Sequence, residues 1–135
     1  MGKWLGDRIA EGMPAHELGV FVRSSGQLRR ARAAVKAASL TAVELSDKVE
    51  ITAGRVSIGL MHLAKGLEFR AVVVMACDDD VIPLQQRIEN VADEADLEDI
   101  YNTERHLLYV ACTRARDHLL VTGVEPTSEF LADLA

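Results

Sequence analysis

The run Ala71-Val72-Val73-Val74-Met75-Ala76-Cys77 constrains this chain more than any other segment. It is β-branched, uninterrupted and without a polar position on either face. A strand of that kind must be covered on both sides, as a strand inside a parallel sheet flanked by helices is. It is far shorter than the roughly 18 apolar residues a membrane span needs.

The rest of the chain can be read around this strand. Trp4, Leu5, Ile9 and Met13 recur at helical spacing, which predicts a helix over residues 3–12 ended by Gly12 and Pro14. Leu18 to Val22 is apolar and of strand length, closing at Arg23. Ser24, Ser25 and Gly26 form a turn with a serine available as helix cap. Leu28, Ala31, Val35 and Ala38 make one face of a second helix, whose opposite face carries Arg29, Arg30 and Lys36. Thr41 to Leu45 reads as a short strand, 46–54 as loop, and Val56, Ile58 and Leu60 alternate as a strand. The apolar run predicts a strand over Ala71–Ala76, broken later by Ile82-Pro83. Residues 84–96 carry no assignable pattern. From Leu97 a helical period runs through Ile100, Tyr101, Glu104, Leu107, Leu108, Ala111, Cys112 and Ala115. Leu119 to Thr122 is a last strand stopped by Gly123, and Ser128 caps a short helix through Phe130, Leu131 and Leu134. Strands alternating with helices predict one α/β domain over residues 1–135 with a mostly parallel sheet.

Composition narrows the function classes. The 49% hydrophobic and 27% charged content is ordinary for a soluble globular protein. A net charge of -6 argues against a simple nucleic-acid coat protein but allows a local basic surface. Asp7, Arg8 and Glu11 interrupt any signal-peptide pattern, so a cytoplasmic location and no membrane partner are expected. Cys77 and Cys112 sit in apolar runs and read as buried reduced thiols. His16, His62, His106 and His118 show no metal-ligand spacing with them, so no metal site is expected.

Two segments place cationic and small residues beside core-like runs: 62–69, with His62, Lys65, Gly66 and Glu68, and 109–116, with Arg114. Lys65-Gly66 follows a strand, as a phosphate loop would. The full pattern needs two glycines around four residues, then Lys and Ser/Thr. Here Gly59 and Gly66 are too far apart, Lys65 precedes Gly66, and Leu67 replaces the hydroxyl residue. A self-contained nucleotide cradle is therefore absent. The acidic end of the apolar run, Asp78–Asp80, reads either as a Mg²⁺-holding strand end or as a solvated loop. Arg114 offers a permanent, forked charge for phosphate, or else an ordinary salt bridge to one of the many carboxylates.

Longer patterns enclose these residues. MHLAKGLEF (61–69) followed by AVVVM (71–75) resembles motif V of the superfamily 1 UvrD/Rep-like helicases. TERHLLYVACTRARDHLLVTG (103–123) resembles their motif VI, and LGVFVRSSGQLRRARAAV (18–35) their motif IV region. The three stand in family order. The resemblance implies a RecA-like (P-loop NTPase-like) three-layer domain lacking the phosphate loop: the second, C-terminal motor domain, often called 2A. It implies a site for ATP with Mg²⁺ shared with an N-terminal RecA-like motor domain, which would hold most of the Mg²⁺ contacts, and a track for single-stranded DNA. By position, Arg114 and Arg23 match arginines acting on the ATP γ-phosphate. Gly66, Glu68 and Lys65 match residues near the nucleotide, with Glu68 facing the ribose. His62 and Met61 match residues near the DNA.

Alternatives at these positions remain. Glu68 could form a surface salt bridge, His62 could be structural, and Lys65 could orient its loop without touching ligand. The Arg29, Arg30, Lys36 face is either solvated or a contact to DNA or to the partner domain. Two positions depart from the pattern. Val22 stands where an aromatic residue stacks on adenine, and Leu60 where motif V has a threonine. The 32 residues between Arg23 and Val56 leave little room for the large accessory domain found there in many relatives. Two further readings differ in kind: a non-catalytic binding module derived from a helicase, and a free-standing enzyme built on Asp78–Asp80.

Overall fold

The computed structural model describes residues 2–46 and 51–134, so the loop expected at 46–54 lies partly outside the described residues. Five strands form one sheet: β1 (Leu18–Val22), β2 (Ala42–Glu44), β3 (Val56–Leu60), β4 (Phe69–Val74) and β5 (Ala115–Val121). Their order is β2-β3-β1-β4-β5, and every pairing is parallel. The apolar run supplies β4, an inner strand between β1 and β5, as its two-sided apolar character requires.

Alternation along the strands builds two cores. Val72 and Val74 face one layer with Phe21, Leu108, Ala111 and Phe130. Ala71 and Val73 face the other with Leu5, Val20, Ala31, Val35 and Ile58. Helices α1 (Gly2–Ala10) and α2 (Leu28–Ala37) cover the second face. Helix α4 (Glu94–Cys112) lies on the first, with α3 (Gln85–Glu89) against it. The result is the three-layer α/β domain expected. Among the described residues no helix is long and apolar enough to cross a membrane.

Several boundaries moved. β4 begins at Phe69 and ends at Val74 because Ala76 adopts a positive φ of 59°, which an extended strand cannot contain. β5 begins at Ala115 rather than Leu119. Its exposed start at Arg116 and Asp117 hides the strand from an apolar search. The unassigned stretch 84–96 holds α3 and the first turn of α4. The latter is capped by the Asp93 carboxylate, which accepts from Asp96 N at 2.9 Å. Ser128 does cap the last 3-10 helix (Glu129–Leu134), accepting from Phe130 N at 3.3 Å; the side chain of Leu134 lies outside the described residues.

Cys77 and Cys112 are free and buried, and burial pushes their thiols up to about 12 and about 11. They behave as the inert apolar side chains expected. Gly123 stops β5 for a steric reason: a Cβ there would sit 2.5 Å from Cys77 O. Backbone cannot yield as a side-chain tip can. Gly123→Ala should therefore destabilise by about 2 kcal/mol or more, read as a lowered urea midpoint. A midpoint equal to wild type would refute the close approach.

Candidate functional site

Strand direction sorts the expected residues onto two opposite edges. At the amino edge, where β4 and β5 begin, Arg114 O accepts from Phe69 N at 2.9 Å. The Arg114 guanidinium reaches back to the segment before β4, donating from Nη1 to Leu67 O at 3.4 Å. Nε donates to Val110 O at 3.2 Å and Nη2 to Thr113 Oγ at 3.2 Å. Glu68 lies between the two residues that Arg114 grips, so the motif V and motif VI residues form one constellation.

Every acceptor around Arg114 is neutral. No carboxylate pairs with it among the described residues, so the salt-bridge alternative is not what the structure contains. No described carboxylate compensates its positive charge. Gly66 makes the neighbouring turn with a φ of 83°, and nothing lies within 4 Å of where its Cβ would be. Lys65 and Glu68 are exposed, and neither pairs with another described residue. Glu68 lines a cleft of about 330 Å³ with His16, Arg70 and Arg116.

The carboxyl edge holds the rest. His62 follows the end of β3 and is exposed. Met61 beside it is 1% exposed and belongs to the core. The Met61 side chain fills the interior rather than facing solvent.

Arg23 stands apart from Arg114. It follows β1, whose Phe21 is in register with Val74 at the end of β4. Arg114 is tied to Phe69, at the beginning of β4. Six residues of strand at about 3.3 Å each separate those levels, so Arg23 and Arg114 follow opposite edges of the sheet. Arg23 is instead forked onto Glu104 in α4, with Nε–Oε1 at 2.8 Å and Nη2–Oε2 at 2.7 Å. Val22 is fully buried at the same far edge. Any base-stacking role at that position is foreclosed by placement as well as by residue type.

Glu104 itself escaped the sequence reading. Besides Arg23, its carboxylate accepts from Leu84 N at 2.7 Å and Arg87 Nη1 at 2.9 Å, and it is 0% exposed. The signal was a charged residue inside the apolar stripe of the helix. Asp78 was a second surprise. Its carboxylate takes both Arg30 Nη groups, at 2.6 and 3.3 Å, and Val124 N at 2.7 Å. It clamps α2 to the segments after β4 and β5 rather than facing solvent.

Both carboxylates titrate low. Burial pushes Glu104 upward, but Arg23, the Leu84 N–H and Arg87 outweigh it and hold it below its ordinary 4.5. The Arg30 bond holds Asp78 below 3.8 against a smaller desolvation push. Each group binds its proton more weakly folded than unfolded. Its stabilisation is therefore full above the ordinary carboxylate range and disappears as pH falls through it. Urea midpoints should drop between about pH 5 and pH 3, with the drop reduced in an Asp78→Asn variant. A flat profile over that interval would contradict the assignment.

The UvrD-like helicase C-terminal domain family model matches residues 25–125. The chain belongs to that family. It is 34% identical over 104 residues to the ATP-dependent DNA helicase PcrA of Bacillus subtilis, covering 67% of this chain and 13% of PcrA. It is 44% identical over 69 residues to the putative ATP-dependent DNA helicase YjcD of the same organism, covering 50% of this chain and 9% of YjcD. The chain thus spans a small part of these relatives. The crystal structure of the C-terminal domain of a possible DNA helicase from Lactobacillus plantarum aligns with a TM-score of 0.67 at 26% identity, covering 98% of this chain and 70% of that one. The UvrD-like helicase C-terminal domain thus supplies the fold on which the two edges are built.

Proposed function

We propose that this UvrD-like helicase C-terminal domain is the second motor domain of an ATP-dependent DNA helicase, with its amino edge forming one wall of an ATP site. The observation that carries this is Arg114, a guanidinium held by neutral acceptors and left with its full charge beside the Gly66–Glu68 turn. A phosphate placed there meets a preformed fork, the free ammonium of Lys65 and a turn open to close approach. Glu68 stands one residue away, suited to accept from a ribose hydroxyl.

The donor set fits phosphate and not the metal. Among the described residues no three His, Cys, Asp or Glu side chains gather to hold a cation, and Asp78 is already committed. Mg²⁺ would be held mainly by an N-terminal RecA-like domain, which would also bring the phosphate loop. When bound, the ion would neutralise phosphate charge. Arg114 then supplies the positive charge that stabilises the transferring phosphoryl group from across the interface, so hydrolysis requires the two domains to close.

The carboxyl edge is the single-stranded DNA side in this reading. His62 is exposed there, and Arg29, in the first turn of α2, is exposed and pairs with no described residue. Arg30 is excluded from that role by its clamp on Asp78. Arg29→Glu should weaken single-stranded DNA binding and reduce its salt dependence by about one counterion; an identical affinity across a salt series would remove Arg29 from the track.

The purified chain should neither hydrolyse ATP nor unwind DNA, and should gain DNA-stimulated ATPase when assembled with an N-terminal RecA-like motor domain supplied from a relative such as PcrA. DNA-stimulated ATPase from the chain by itself, abolished by Arg114→Ala, would overturn the shared-site reading.

A further inference from the structure

We propose that Glu104 is a positioning residue that sets the axial register of α4 and thereby the place of Arg114; the proposal rests on the reading of Arg114 given above. Helix α4 runs from the carboxyl edge of the sheet to the amino edge, and Arg114 follows its last turn. Ten positions at roughly 1.5 Å of rise put Glu104 about 15 Å up the helix from Arg114.

Two kinds of contact hold that helix, and they fix different things. Leu108, Ala111 and Cys112 press its apolar stripe onto the core. Apolar contact is non-directional; it decides which face points inward and resists sliding weakly. The Glu104 carboxylate is directional. It receives donors from two chain segments: Arg23 after β1, and the start of α3, through Leu84 N and Arg87. Displacement by a fraction of a turn would break several short charge-assisted bonds at once.

At the other end the ties are weaker. The Phe69 N–H to Arg114 O bond secures the backbone. The guanidinium reaches its acceptors only at 3.2 to 3.4 Å. Its placement thus depends on the body of the helix, which Glu104 holds. A finger acting across an interface is sensitive to such placement, since a shift near 1 Å can cost about 10²-fold in rate.

The test uses this chain assembled with the N-terminal motor domain and measures kcat and KM for ATP. Glu104→Gln keeps the side-chain shape but loses the charge and turns one acceptor into a donor. Its kcat should fall about 10- to 100-fold with KM changed less than about threefold. In an Arg114→Ala background the same substitution should cost less than about twofold, because a positioning effect has nothing left to position. An unchanged kcat, or equal losses in both backgrounds, overturns the proposal. If Glu104→Gln melts below the assay temperature, Glu104→Asp, which keeps the charge and shortens the reach by one methylene, enters the same cycle with the same criteria. An assembly whose ATPase ignores Arg114→Ala would refute the shared-site reading, and positioning with it. An Arg114-dependent ATPase insensitive to Glu104 refutes positioning only.

Discussion

Arg114→Ala should lower the DNA-stimulated ATP turnover of the assembled motor by about 10³- to 10⁵-fold while leaving the domain's melting temperature nearly unchanged. The asymmetry follows from its surroundings. The guanidinium donates to two backbone carbonyls and a hydroxyl, at 3.2 to 3.4 Å. Water can take over at these partly exposed acceptors, and no buried carboxylate is stranded. In the proposed shared site the same group would meet charge spreading over the phosphoryl oxygens of the transition state, where a pre-oriented donor counts most. The loss should fall on kcat and kcat/KM together, the signature of an interaction made in the transition state. Arg114→Lys should recover little, since a lysine point charge lacks the fork and would not be held by the same two carbonyls. Turnover within about tenfold of wild type in the Ala variant would mean that the charge is supplied elsewhere.

Arg114 is held by neutral acceptors and Arg23 by a buried carboxylate, so the two arginines have different surroundings. Motif matching could not draw that line. It treated Arg23 and Arg114 alike because both close an element and both have family counterparts. Sheet direction separates them. A sequence gives each strand an end but does not say which ends share an edge until the crossovers are known. The chain leaves β3 at the carboxyl edge with Met61 and enters β4 at the amino edge with Phe69. Eight residues that look like one loop in sequence therefore span the sheet and serve both edges.

What was legible was whatever the apolar pattern alone decided. Ala71–Cys77 foretold an inner parallel strand, and the period from Leu97 foretold α4. Places where charge substitutes for apolar packing were not legible. Residues 84–92 look featureless because Arg87 and the Leu84 N–H bind Glu104 instead of presenting a hydrophobic face. β5 is hidden in the same way by Arg116 and Asp117. Asp78 looked solvent-facing because its partner Arg30 is 48 residues away in sequence. Such pairings are long-range and leave no periodic trace.

Arg23→Ala should show the opposite profile to Arg114→Ala: a loss of about 3 kcal/mol in stability, with the residual folded fraction retaining an ATPase sensitive to Arg114. The cost comes from what remains. Glu104 is fully buried, and removing the forked guanidinium leaves its carboxylate with Leu84 N and Arg87, whose side chain is 38% exposed. An uncompensated buried charge is more costly than the ion pair was favourable. The figure therefore sits at the low end of the usual range, because two donors persist. Acidification should narrow the gap between wild type and variant, since protonating Glu104 removes the charge that Arg23 neutralises. A double replacement, Arg23→Met with Glu104→Leu, should recover part of the lost stability by exchanging the ion cluster for apolar packing. It would also free α4 from its axial tie, so its kcat should fall about 10- to 100-fold, as in Glu104→Gln, even though its melting temperature recovers. An Arg23→Ala variant as stable as wild type but with turnover reduced about 10³-fold would return Arg23 to the γ-phosphate and overturn the division of the two edges.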